Sequence, residues 1–240
     1  MENNIKFDYL WENGPLMAQS EHFKLGTDSV LLGNFANVAG TKKGCDLGCC
    51  TGALSLLLLS RNEKLHIDAI EIDCEASDIA KKNMEINGLD GRANIITGDL
   101  CDYKKYFKSG AYDIVISNPP YFTVESGDVS DNERKARARG EVSCTIEDIV
   151  RASKYLLRWD GKLFLVFRPE RMVELLTVMS ENAIEPKRIR PVAHTFGAKP
   201  SLILVEGRRG GKSGLTLEDT LYIVDKDGND TAEIKDIYHR

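Results

Sequence analysis

The 240-residue chain reads as an α/β protein, a mostly parallel seven-stranded sheet with helices on both faces. Two observations predict this. Short apolar runs alternate with stretches of helical pattern, and that alternation means strand–helix–strand crossovers and a mainly parallel sheet. The motifs that can carry chemistry each fall at the carboxyl end of one of those runs, where such sheets bind ligands.

The elements follow in order. Gly44-Cys45-Asp46-Leu47 is the first apolar run, and a glycine-bearing turn succeeds it. Ala53 to Leu59 is apolar all round, as a buried helix is. His66 to Ile72 reads as a strand, and Glu75 to Asn87 as a helix stopped by Asn87-Gly88. Ala93 to Thr97 and Tyr112 to Ser117 are further strands, the latter apolar enough to be buried on both faces. Thr145 to Leu157 is helical, with Thr145 as cap and Asp148 at the third position. Lys162 to Phe167 follows an Asp160-Gly161 turn as a strand. Pro169 to Ser180 is a helix with proline near its start. Strands around Ile189–Val192 and Leu202–Val205 suit a closing antiparallel pair.

Three segments stand outside the alternation. Phe23 to Gly33 is a turn feeding a short apolar helix that Asp28 can cap. Residues 122–144 are polar and read as a loop with a short helix. The tail carries a small strand pair around Leu221–Val224 and a turn at Asp227-Gly228. The expected division is an N-terminal extension over 1–40, a central domain over 41–206 and a tail over 207–240.

A formal charge of −5 argues against broad nucleic-acid affinity but leaves room for a local basic patch. No apolar stretch approaches the roughly 20 residues of a membrane span. The N-terminus has no cationic segment followed by an apolar one, so the expected location is the cytoplasm. The six cysteines (Cys45, Cys49, Cys50, Cys74, Cys101 and Cys144) show no zinc-binding spacing, and reduced structural thiols are expected with no metal. The four histidines form no visible triad.

Asn118-Pro119-Pro120-Tyr121 ends the run from Tyr112. Two prolines fix φ and offer no N–H, so the turn cannot extend the sheet ladder, and its carbonyls can accept from a ligand. The Asn118 amide oxygen and the Pro119 carbonyl suit an exocyclic amine, and Tyr121 suits stacking on its ring. The alternative is a rigid turn with no ligand. Asp46-Leu47-Gly48-Cys49-Cys50-Thr51-Gly52 opens a helix, where a glycine turn lets a ligand approach the backbone. Such turns also serve simple packing. Glu71 ends the next strand and can take both hydroxyls of a ribose, with Ile72 beside it. Asp99 can accept from an adenine amine with Leu100 against the ring, or can merely cap a helix. Arg134, Lys135, Arg137 and Arg139, and separately Arg208, Arg209 and Lys212, form basic groups that either contact phosphates or face solvent.

Taken together these residues resemble the class I S-adenosylmethionine-dependent methyltransferases, and Asn-Pro-Pro-Tyr resembles the branch that methylates amines. With Phe23–Leu32, the chain is similar to the tRNA adenine-N6 methyltransferases that modify a valine tRNA beside its anticodon. The resemblance implies a Rossmann-like fold, S-adenosylmethionine as cofactor and structured RNA with an unpaired adenine as partner. It implies cofactor contacts from Asp46, Gly48, Cys50, Gly52, Glu71, Ile72, Asp99, Leu100 and Asn118, with Gly26, Thr27 and Asp28 over the methionine end. Asn118, Pro119, Pro120 and Tyr121 would hold the target amine. The same tetrapeptide occurs in enzymes acting on a release-factor glutamine, on guanine N2 or on DNA adenine. A nicotinamide-dependent dehydrogenase and an RNA-binding module without turnover are the other readings. One departure stands out: the family turn has glycine where this chain has Cys50.

Overall fold

The computed structural model describes residues 5–119 and 144–240. Pro120, Tyr121, Arg134, Lys135, Arg137 and Arg139 lie outside the described residues, as does nearly all of the loop expected over 122–144.

A hairpin of β1 (Lys6–Tyr9) and β2 (Leu16–Gln19) precedes α1 (Thr27–Phe35). Then come β3 (Lys43–Leu47), α2 (Ala53–Arg61), β4 (His66–Glu71), α3 (Cys74–Ile86) and β5 (Ala93–Thr97). A short α4 (Tyr103–Tyr106) leads to β6 (Tyr112–Ser117). After the undescribed segment, α5 (Ile146–Leu156), β7 (Leu157–Phe167), α6 (Met172–Glu181), β8 (Ile184–Ala193) and β9 (Leu202–Arg209) complete the core. Strands β10 (Thr216–Leu217) and β11 (Leu221–Tyr222) and helix α7 (Ala232–Ile237) close the chain.

The sheet runs β10-β8-β9-β7-β6-β3-β4-β5, with β11 also against β8. Strands β5, β4, β3, β6 and β7 are parallel neighbours, and β9 lies antiparallel between β7 and β8. The chain leaves β3 towards β4 and β5, then returns to place β6 on the other side of β3. That reversal opens a crevice beyond the carboxyl ends of β3 and β6.

Burial on both faces explains the continuous apolar runs. Ile114 and Ile116 of β6 pack with Leu56, Leu58 and Leu59 of α2 on one face. Val115, between them, packs on the other face with Leu163, Leu165 and the α5 residues Ile149 and Val150. Helix α5 starts on the expected reciprocal cap between Thr145 and Asp148.

The structure departs from the sequence-based reading in four places. Among the described residues the sheet has nine strands, because β10 and β11 each join β8 in parallel, and the pair expected around Leu221–Val224 shrinks to a single antiparallel bridge, Val224 to Asp230, across the Asp227-Gly228 turn. Helix α1 begins two residues early, so Gly26 takes the cap position and Asp28 sits in the first turn. Strand β7 runs through Asp160 (φ +63°) as a bulge where a turn was expected. The boundaries at 40 and 206 cut through one hydrophobic cluster: Leu31 and Leu32 of α1 and Ile234 and Ile237 of α7 share it with α2. A polar tie adds to this, since the Asn83 amide of α3 bonds Ala18 of β2 and the Thr51 carbonyl of the glycine turn.

Candidate active site

A cavity of about 470 Å³ occupies the crevice, a size that suits a nucleotide-like ligand. The glycine turn floors it. Gly48 (φ +72°) takes a left-handed conformation that glycine adopts without cost, and a side chain there would meet no atom within 4 Å. The backbone N–H groups of Gly48 and Cys49 donate to the Ile70 carbonyl at 2.9 and 3.0 Å, fixing the turn against β4. Gly52 serves a different end. It is also left-handed, but a side chain would strike Met84 and Ala80 of α3 at 3.1 and 3.2 Å, and it does not line the cavity. The absence of a side chain here serves close packing of the turn on α3.

Cys50 has φ +49°, so a Cβ stands where glycine would be unstrained, at a cost on the order of 1 kcal/mol. Its N–H donates to Glu71 Oε2 at 2.7 Å, and its thiol is pushed up to about 12 by burial and by the Glu71 carboxylate. Cys50→Gly keeps the backbone bond and removes both strain and side chain. Cofactor affinity measured by calorimetry is expected to be equal or tighter; a large loss would show that the thiol side chain contributes to binding.

Glu71 and Asp99 end adjacent strands and both line the cavity. Burial raises the Glu71 carboxyl, while amide donors at Asp73 (2.9 Å to Oε1) and Cys50 oppose that by favouring the anion. Asp99 does cap: its Oδ1 accepts from the Cys101 N–H at 2.8 Å. It lines the cavity as well, beside Leu100 and Ile72. One residue holds both positions that the sequence presents as alternatives.

Asp46 is placed differently from expectation. It is fully buried beneath the turn and does not line the cavity. Ser55 Oγ donates to its Oδ2 at 2.7 Å, and Oδ1 has no hydrogen-bond partner among the described residues. Burial raises its carboxyl to about 7, against the lowering effect of Ser55.

Asn118 follows β6 in the wall of the cavity, with Pro119 beside it. The strand end is pinned by Ser117 Oγ, which donates to the Leu47 carbonyl of β3 at 2.7 Å. The Asn118 Nδ2 group donates to Ser29 Oγ at 3.0 Å. That bond directs the amide oxygen away from Ser29. Of the N-terminal trio only Gly26 lines the cavity; Thr27 and Asp28 do not, and Lys24, Leu25 and Ser29 do. Ser29, which lines the cavity and bonds Asn118, is a residue that sequence reasoning missed. A serine in the first turn of an apolar helix carries no signal, and only its position one residue past Asp28 could have suggested it.

The second basic group is misplaced for a role here. Because β9 is antiparallel, Arg208 pairs with Lys162 at the amino end of β7, while Ile203 pairs with Phe167 at the carboxyl end. Five residues of strand put about 17 Å between those levels. Arg208 is bonded to Asp160 and Arg209 to the Leu157 carbonyl, and the Lys212 carbonyl accepts from Lys187. Arg208, Arg209 and Lys212 therefore face away from the cavity end of the sheet.

Cys101 and Cys144, 43 residues apart, come within 4.8 Å of each other and of an Asp148 oxygen. Burial and the surrounding carboxylates hold both thiols protonated, Cys101 up to about 11. Asp148 Oδ2 is engaged by Thr145.

The architecture is that of the class I methyltransferases. A predicted O-methyltransferase from Agrobacterium tumefaciens superimposes with a TM-score of 0.71 at 20% identity, over 89% of this chain and 96% of its own. Geranyl diphosphate C-methyltransferase from Streptomyces coelicolor, solved with S-adenosyl-L-homocysteine, gives 0.53 at 12% identity over 70% and 71%. The chain is a methyltransferase and belongs to the methyltransferase small domain family, whose model matches residues 19–182. It is similar to proteins named tRNA1(Val) (adenine(37)-N6)-methyltransferase. That of Parabacteroides distasonis is 32% identical over 183 residues, 76% of each chain. That of Tolumonas auensis is 32% identical over 212 residues, 88% of this chain and 86% of its own.

Proposed function

We propose that this methyltransferase transfers the methyl group of S-adenosylmethionine to N6 of an unpaired adenine in tRNA, at the position for which its relatives are named. The observation that carries the reading is the Asn118 amide, oriented by Ser29, in the wall of the cavity that Glu71 and Asp99 also line. When bound, S-adenosylmethionine supplies an electrophilic methyl carbon on a sulfonium.

The residues present fit that group. Glu71 offers carboxylate lone pairs to ribose hydroxyls, and Asp99 accepts from the adenine amine between Ile72 and Leu100. The open face of Gly48 admits a ligand against backbone. Gly26 and Lys24 line the same cavity.

The target amine is a poor nucleophile because its lone pair is delocalised into the ring. Accepting hydrogen bonds at Asn118 Oδ1 and the Pro119 carbonyl favour a pyramidal nitrogen with its lone pair aimed out of the ring plane. Catalysis is then mostly alignment. No strong base is required at neutral pH, since the proton can leave to water after transfer. An adenine in a loop is already partly unstacked, which lowers the cost of drawing it in. Among the described residues no helix is long and apolar enough to cross a membrane. A tRNA substrate places the reaction in the cytoplasm.

The test is incubation with radiolabelled S-adenosylmethionine and total bacterial tRNA, followed by digestion to nucleosides. Label in N6-methyladenosine is expected. Label in guanosine, or on protein, would overturn the reading.

A further inference from the structure

We propose that the loop between β8 and β9, through the ring of Phe196, receives an unpaired base of the tRNA that flanks the methylated adenine. The inference rests on the tRNA reading above. Strand β8 runs parallel to β6 and β7, so the loop over 194–201 emerges at the same end of the sheet as Asn118. Strands β7 and β9 intervene, which sets β8 three strand spacings from β6, about 14 Å. Two or three nucleotides of an extended loop cover that span.

Phe196 is 81% exposed, the barest large apolar side chain among the described residues. Among the described residues nothing covers it. Its backbone is held: Ala198 N–H donates to the Thr195 carbonyl at 3.1 Å, Gly197 (φ +79°) makes the turn, and Ser201 N–H returns to Val192 at 2.9 Å. Tyr222 of β11 braces the ring from one side, with centroids 5.5 Å apart at 54°. The result is a fixed aromatic platform with an open face. A base stacks on such a face whatever its identity.

Charge around the platform suits RNA. Lys199 is exposed on the same loop, and exposed Arg168, at the carboxyl end of β7, donates to the Ser201 carbonyl at 3.3 Å. Exposed Lys24 lines the cavity itself. The acid that follows the strand pairing, Asp225, has its Oδ1 taken by the amides of Asp227 and Asn229. Cations beside a stacking ring are the elements of single-strand binding. The bare ring of Trp159, 67% exposed, lies instead near the amino end of β7, away from the cavity.

The experiment measures tRNA methylation kinetics for the full chain and for Phe196→Ala, Phe196→Trp and Trp159→Ala. Phe196→Ala is expected to raise the KM for tRNA about tenfold. Affinity for S-adenosylmethionine, by calorimetry, should stay as in the wild type. Phe196→Trp should restore the KM, and Trp159→Ala should leave it unchanged. An unchanged KM in Phe196→Ala, or an equal rise in Trp159→Ala, overturns the inference while the tRNA reading stands. Failure of the wild type to label tRNA overturns that reading instead.

Discussion

Asn118→Ala is expected to lower kcat by about 10²–10³-fold while the Kd for S-adenosylmethionine changes little, the scale seen when one preorganised hydrogen-bonding group is removed from a catalytic site. The amide oxygen is needed only when the amine pyramidalises, so its loss falls on turnover. Asn118→Asp retains an acceptor and should lose less. Ser29→Ala removes the hydroxyl that receives the Asn118 Nδ2 group at 3.0 Å. It leaves the amide in place but removes one of the contacts that orient it, and should fall between wild type and Asn118→Ala in kcat. Single-turnover rates with saturating tRNA, set beside calorimetric Kd values, decide the matter. Equal losses in rate and cofactor affinity would refute the assignment, because a residue that only shapes the cavity lowers both.

The second large effect concerns stability. Asp46 is fully buried with its carboxyl raised from 3.8 to about 7. Below pH 4 the group is protonated in folded and unfolded chains alike. Between about pH 4 and 7 the unfolded chain releases the proton and the folded chain keeps it. The folded state then binds more protons, so this group's contribution to stability falls as pH rises through that window. Above pH 7 the loss is complete, on the order of 4 kcal/mol for a shift of about three units. Asp46→Asn cannot titrate. Its amide oxygen can still accept from Ser55, and the buried NH2 costs about 1–3 kcal/mol if unpaired. The variant should melt several degrees above wild type at pH 8. The gap should close and then reverse by pH 5, where the wild-type carboxyl is neutral. Melting temperatures for the two proteins across pH 5–8 give the answer, and a gap that does not vary with pH would show that Asp46 is not the titrating group.

The sequence makes the sheet and the position of the cavity legible because both depend on local signals. A buried parallel strand must be apolar throughout, and a turn that cannot continue the ladder must carry glycine or proline. Glu71, Asp99 and Asn118 follow as cavity residues because a strand's carboxyl end is read directly from where the apolar run stops. The positive φ of Cys50 has a different source, for only the glycine of the resembling family at that position hints at it. Asp46 and Gly52 were not separable from Gly48 by sequence. All three belong to one motif, and only the packing of α2 and α3 beneath the turn turns Asp46 and Gly52 inward while Gly48 faces the cavity. The basic group at Arg208–Lys212 misled for a related reason: cationic composition reports an affinity for phosphate but carries no direction.

Periodicity, turn chemistry and the order of motifs are thus readable along the chain, because backbone conformation within a few residues sets them. Tertiary structure alone decided which end of the sheet each side chain faces and which partner it meets. The antiparallel entry of β9 carried Arg208 away from the cavity and brought Phe196 to its side. The docking of α1 against α2, β7 and β9 set Ser29 beside Asn118 across 89 residues of chain. Contacts at that separation are fixed by how two buried faces fit together, and no local pattern encodes the fit.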